Sequence, residues 1–256
     1  VPLIVLTIYA FNEFEDALQE KIVAQSSKGL DQLQQSTEDL MSLVYKTLVM
    51  VQNDNVIHAV MKHPERYTVL ERIDQVEQVL KNIDNSIFLF NSQIVYYTLL
   101  DFHGNVYTSF QPQEMLNYDK LRTDNWAQQL SASRPYKWIA NDPNYVARNI
   151  SASPYLLTLG ATMRDTNNTP FSWARISIDY ESWYQSFVES DEEHRYAIID
   201  ASGALVSALG SEQAPDAHIR GFFRDRAEPS GFFFDQRTDS LINYRSIPQL
   251  DWYIVD

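Results

Sequence analysis

The chain has 256 residues, 45% of them hydrophobic, with 7 Gly, no Cys and a formal net charge of −14. That hydrophobic share excludes a disordered chain, and the lack of cysteine excludes a disulfide framework or a thiolate metal site. The negative charge repels a phosphate backbone, so no nucleic-acid partner is expected, and the few glycines form neither a dinucleotide-binding nor a P-loop fingerprint.

Residues 1–11 (VPLIVLTIYAF) carry no charge. The stretch is shorter than the roughly 20 apolar residues that span a bilayer. It also lacks the basic start and small-residue cleavage site of a signal peptide. It is predicted to be the outer end of a membrane helix, with Tyr9 and Phe11 where an aromatic belt gives way to water. Residues 12–52 are predicted as one long stalk helix. Phe14, Leu18, Ile22, Leu30, Leu33, Leu40, Val44, Leu48 and Val51 recur at helical spacing, and no proline falls between Pro2 and Pro64. A break near residues 26–29 would instead give two ordinary helices.

Two later segments share one pattern. Residues 94–109 (IVYYTLLDFHGNVYTS) and 196–208 (YAIIDASGALVSA) each hold an apolar strand, then Asp-X-X-Gly, then a second strand. Asp101 matches Asp200, and Gly104 matches Gly203. An Asp side chain can bond its own backbone two residues on, and Gly supplies the positive φ of a tight turn. Residues 155–164 and 171–180 read as further strands of the first copy. Residues 231–234, 240–247 and 252–255 read as those of the second, and 181–194 as a helix between them. Residues 111–154 read as loops inserted in the first copy.

Together, the long helix, the paired Asp-X-X-Gly hairpins, Ile176-Ser177-Ile178-Asp179-Tyr180 before a linking helix and the final Trp252-Tyr253-Ile254-Val255 strand resemble a double Cache domain. The style is closest to the extracellular part of YesM-like bacterial sensor histidine kinases. The resemblance implies an α+β fold in which a long N-terminal helix precedes two PAS-like modules, each a mainly antiparallel sheet flanked by helices. It divides the chain into residues 1–11 and 12–52, a membrane-distal module at 53–183 and a membrane-proximal module at 184–256. It further implies an extracellular, non-enzymatic sensing domain, joined to the membrane by flanking helices and paired as a homodimer. No cofactor or metal is expected. A chemoreceptor or cyclase ectodomain of the same fold is the alternative.

The resemblance implies that the distal module holds the ligand. Side-chain alternation puts Ile176, Ile178, Leu157 and Leu159 on one face, and Arg175, Ser177 and Thr158 on the other. An arginine on an apolar strand needs an anion, either a ligand's or that of a loop carboxylate such as Asp142. The inserted region adds Trp126, Trp138, Asp142, Tyr145 and Arg148. The two tryptophans suit stacking on a sugar face, and the polar groups suit its hydroxyls. The amino-acid-binding version of the fold carries Arg-X-Trp-Tyr and an Asp near position 177. Here Arg122 and Trp126 are wider apart and Ser177 replaces the Asp, so an α-amino group lacks its expected anionic partner. The expected ligand is therefore a carbohydrate, an organic acid held by Arg148 or Arg175, or a sugar-loaded binding protein.

Enzyme readings are weaker. No Gly-X-Ser-X-Gly elbow is present, and His58 and His63 miss the spacing of a helical zinc site. An acidic carbohydrate hydrolase would need a carboxylate pair that no local motif singles out. The Asp191-Glu192-Glu193 run reads as a solvated helix end.

Overall fold

The structure is a computed structural model that describes residues 2–87, 95–123, 125–128, 130, 135–188, 196–208, 215–224, 226 and 228–256. Helix α1 runs unbroken over Pro2–Asn53, through the segment where a break was conceivable. Near its start, Tyr9, Phe11, Phe14, Leu18 and Ile22 are exposed. Farther along, its buried face is Leu30, Leu33, Leu40, Val44, Leu48 and Val51, the set expected from the periodicity. No helix among the described residues is long and apolar enough to cross a membrane.

The chain divides into two compact units, residues 1–38 with 184–256 and residues 39–183. In the second of these, α2 (Asn55–Lys62) and α3 (Val69–Ile87) follow α1. Then come β1 (Val95–Asp101), β2 (Val106–Thr108), short helices α4 (Tyr118–Thr123) and α5 (Asn125–Gln128), β3 (Tyr136–Pro143), β4 (Tyr155–Arg164) and β5 (Pro170–Ile178). The sheet order is β2-β1-β5-β4-β3, all antiparallel. Strand β3 lies inside the region read as loops. It is an edge strand with a polar, largely exposed surface and no clean alternation, so its sequence carries little strand signal.

The other unit holds the start of α1, then β6 (Ala197–Asp200), β7 (Leu205–Ala208), α7 (Ala217–Phe222), β8 (Ser230–Asp235), β9 (Ser240–Ile247) and β10 (Trp252–Val255). Its order is β7-β6-β10-β9-β8, the first order repeated five strands later. Helix α6 (Tyr180–Val188) links the sheets. Residues 189–195, the rest of the predicted linking helix with its acidic run, lie outside the described residues.

The two hairpins share the same Asp-to-amide bonds. Asp101 Oδ1 accepts from the amides of His103 and Asn105 at 2.9 and 2.8 Å, and Asp200 Oδ1 from those of Ser202 and Ala204 at 2.9 Å each. Gly104 and Gly203 take φ of 94° and 81°. The sheets differ in what covers one face. In the smaller unit, Ile199 (the counterpart of Leu100), Tyr244, Tyr253 and Val255 pack against Ile219, Phe222 and Phe223 of the α7 region and Phe233 of β8. On the corresponding face of the larger unit, Tyr96, Val146 and Leu156 pack with Phe110 and Tyr145 beside the Arg175–Asp142 pair.

Candidate functional site

That face bears a cavity of about 610 Å³, within the range of small-molecule pockets. Its walls come from the strand sheet and from the inserted region. Cross-strand partners share a face. The rows Ile139–Thr158–Ser177 and Lys137–Gly160–Arg175 therefore lie on one side. Trp138 pairs with Leu159 and Ile176 on the other, the side where Tyr136 meets Tyr45 of α1 at 5.1 Å between ring centroids.

Plain alternation from Ile139 would send Asp142 to that far side too. A bulge between Ile139 and Asp142 inserts one residue and turns Asp142 back toward the cavity. There its Oδ2 accepts from Thr158 Oγ1 at 2.6 Å and pairs with the Arg175 guanidinium. Thr158 also shares a hydrogen bond with Ser177 at 2.7 Å, and Ser177 with the Tyr145 hydroxyl. Five of the candidate residues thus form one bonded chain: Tyr145, Ser177, Thr158, Asp142 and Arg175.

The guanidinium of Arg175, 3% exposed, lies 4.4 Å from the Tyr145 ring centroid and 5.5 Å from that of Trp126. Aromatic faces attract a cation, so the rings and the carboxylate together hold a charge that burial disfavours. Burial raises the pKa of the Tyr145 hydroxyl above that of an ordinary phenol, with the Arg175 charge opposing. The phenol stays neutral and able to donate.

Trp126, Asp142, Tyr145 and Arg175 line the cavity, while Thr158 and Ser177 are fully buried behind them. Two predicted residues are not brought in. Trp138 is on the opposite face for the parity reason above. Arg148 is exposed in a turn after Val146, so it holds no acid in this cavity. Arg175 is already paired, which answers the choice left open by the sequence in favour of Asp142. Trp126 lines the cavity but is buried and packed against Gly160. Asp142 of β3 puts one carboxylate in this wall, already bonded to Arg175 and Thr158.

Sequence reasoning missed the outer wall: Gln113, Glu114, Leu116, Asn117, Lys120 and Leu121, with Ile139, Pro143 and Asn144. Residues 111–113 pair with 145–147, through the amide of Gln113 to Tyr145 O at 3.0 Å and that of Ala147 to Gln111 O at 2.8 Å. The Asp-Pro-Asn run at 142–144, where β3 ends at Pro143, was the available signal. Among the described residues, two carboxylates and two cations line the cavity (Glu114, Asp142, Lys120 and Arg175), and their formal charges cancel. Among the described residues no group of three His, Cys, Asp or Glu side chains could hold a metal ion.

No family model matches the sequence, and no curated protein matches it. Solved structures do. The ligand-binding domain of the Campylobacter jejuni chemoreceptor Tlp3, in complex with L-norvaline, aligns with a TM-score of 0.64 at 14% identity, over 93% of this chain and 91% of that one. The extracellular domain of rpHK1S-Z16, assigned as a histidine kinase, gives 0.53 at 15% identity over 91% and 94%. The ligand-binding domain of the Pseudomonas fluorescens chemoreceptor CtaA, with L-isoleucine, gives 0.53 at 10% identity over 95% and 93%. At such identities the likeness is one of fold. That fold is the predicted one, a long N-terminal helix followed by two PAS-like Cache modules, each an antiparallel five-stranded sheet flanked by helices.

Proposed function

We propose that this chain is the extracytoplasmic ligand-sensing domain of a transmembrane receptor, a histidine kinase or a chemoreceptor, and that its ligand occupies the cavity of the 39–183 unit. The observation that carries this reading is the cavity floor: a buried ion pair, backed by a run of hydroxyls, faces a space of small-molecule size. A folding core gains little from such an arrangement, because burying charge costs more than burying apolar side chains of similar volume. The fold neighbours crystallised with L-norvaline and L-isoleucine support the same reading. Membrane attachment through flanking helices and a homodimer belong to the proposal, and the exposed apolar start of α1 fits a helix that meets lipid or a second helix.

The preferred ligand is a small zwitterion with its ammonium at Asp142 and its anionic end toward Lys120. The cancelling charges of the wall favour a net-neutral molecule. A polyol or sugar comes second, because Trp138 lies on the other sheet face and Trp126 is buried against Gly160. Ligand would act by differential affinity for two packings of sheet and inserted region. Partner-mediated sensing has its own support in the apolar groove bearing Val69, Ile73 and Met115, where Met115 is 97% exposed and a binding protein could dock.

A thermal-shift screen of zwitterionic amino acids, neutral sugars and dicarboxylates tests the reading. Ligand at about a hundredfold excess over its Kd stabilises a fold by about 2.7 kcal/mol. A zwitterion that raises the melting temperature, and loses its effect in Asp142→Asn, supports the proposal. Silence across the panel, or turnover of a glycoside by the purified protein, overturns it.

A further inference from the structure

We infer that Asp179, Ser151 and Ser153 form a built-in link through which the cavity wall sets the first turn of α6. The inference rests on the cavity being the ligand site. Asn144 lines that cavity. Its amide nitrogen donates to Ser151 Oγ at 2.9 Å and to Ser153 O at 2.6 Å. Ser151 Oγ donates in turn to Asp179 Oδ2 at 2.6 Å, and Ser153 Oγ donates to Asp179 Oδ1. The same Oδ1 accepts the backbone amide of Ser182 at 3.1 Å, and the Asp179 carbonyl accepts that of Trp183 at 3.2 Å. Asp179 is therefore the N-cap of α6 and the end of a chain that starts at the ligand wall.

The Ser151 arm has one direction, the Asn144 amide donating to the hydroxyl and the hydroxyl to the carboxylate, and such chains polarise their members cooperatively. The Ser153 arm is held at its backbone carbonyl by Asn144 while its hydroxyl donates to Asp179. Asp179 is 2% exposed, so both oxygens depend on these partners. Its charge is felt nearby: the Tyr96 hydroxyl is pushed up to about 12, by burial first and then by Asp179. Val146 packs with Tyr96 and Leu156, which holds the loop between Asn144 and Ser151 against the sheet. A ligand that moves Asn144 pulls on Ser151 and Ser153, and loosens or tightens the cap. The helix it caps continues to Val188, past the boundary between the two units at residues 183 and 184.

Amide hydrogen exchange on the intact chain tests the link. The variants are Asn144→Ala, Ser151→Ala with Ser153→Ala, and all three changes together. The worth of one hydrogen bond predicts exchange at the Ser182 amide faster by roughly three- to tenfold in Asn144→Ala, with β4 and β5 amides unchanged. The triple variant is expected to match the serine pair alone, because links in series do not add. An unmoved Ser182 amide in Asn144→Ala overturns the inference. So does equal acceleration throughout the sheet, which would mark a general loosening. If the serine pair fails to fold, Ser151→Ala alone takes its place in the comparison. No ligand enters the measurement, so a cavity that binds nothing in the screen and a link that carries nothing are separate outcomes.

Discussion

Trp126 lies against Gly160, so close that a Cβ on Gly160 would stand 2.6 Å from Trp126 Cε3. Gly160→Ala must therefore displace the indole from the cavity wall. The expected result is a loss of about 1–3 kcal/mol from overpacking, with a changed near-ultraviolet circular dichroism spectrum and at least a tenfold weaker response to any ligand found in the screen. An unchanged spectrum would mean that the indole yields freely and does not shape the cavity.

The buried pair predicts strong non-additivity. Arg175→Met alone leaves the Asp142 charge uncompensated and is expected to cost about 3–5 kcal/mol. Combining it with Asp142→Asn removes both charges and should recover much of the loss. Urea unfolding of the two single variants and the double variant measures the coupling. Simple addition of the single effects would show that the charges do not depend on each other.

Asp84 gives a pH dependence. Tyr97 donates to its Oδ1 at 3.1 Å, and burial raises its pKa to about 6, against the hydrogen bond. A carboxyl raised in the folded state contributes stability that is fully present below the unfolded value of 3.8 and is lost as pH rises through about 6. The group is only partly buried, so solvent screening limits the effect to the order of 1 kcal/mol. Asp84→Asn keeps an acceptor for Tyr97, removes the slope between pH 4 and 6, and should raise the melting temperature at pH 7. A melting profile with the same slope in both proteins would assign the dependence elsewhere.

The two matching hairpins give an internal control. Gly104 has φ of 94° with open space around a would-be Cβ, whereas at Gly203, φ 81°, that Cβ would meet the Arg220 carbonyl oxygen at 2.7 Å. Gly104→Ala is expected to cost about 1–2 kcal/mol from the left-handed backbone alone. Gly203→Ala should cost more, because a backbone group of α7 has to move as well. Equal losses in denaturant unfolding would mean that α7 gives way without resistance.

Much of this fold is legible in the chain because the same devices occur twice. The Asp101 and Asp200 turns announce themselves by side-chain chemistry, and β4 and β5 by apolar runs. The cavity is less legible. Trp138 and Asp142 both sit on β3, whose polar edge reads as loop, and a bulge reverses the face that simple alternation assigns to Asp142. The contact of Trp126 with Gly160 joins residues far apart in sequence, and neither residue type signals the other. Ser151, Ser153 and Asn144 look like ordinary loop residues. Only the folded chain brings them to Asp179.

One sheet face is hollow beside its own aromatic cluster, where its repeat is closed by the phenylalanines of the α7 region. Empty volume removes contacts that a filled core keeps, so the hollow copy starts with the weaker cohesion. Scanning calorimetry should resolve this as two endotherms. The earlier belongs to residues 39–183, and a bound molecule would shift it upward toward the later one while leaving the later one in place.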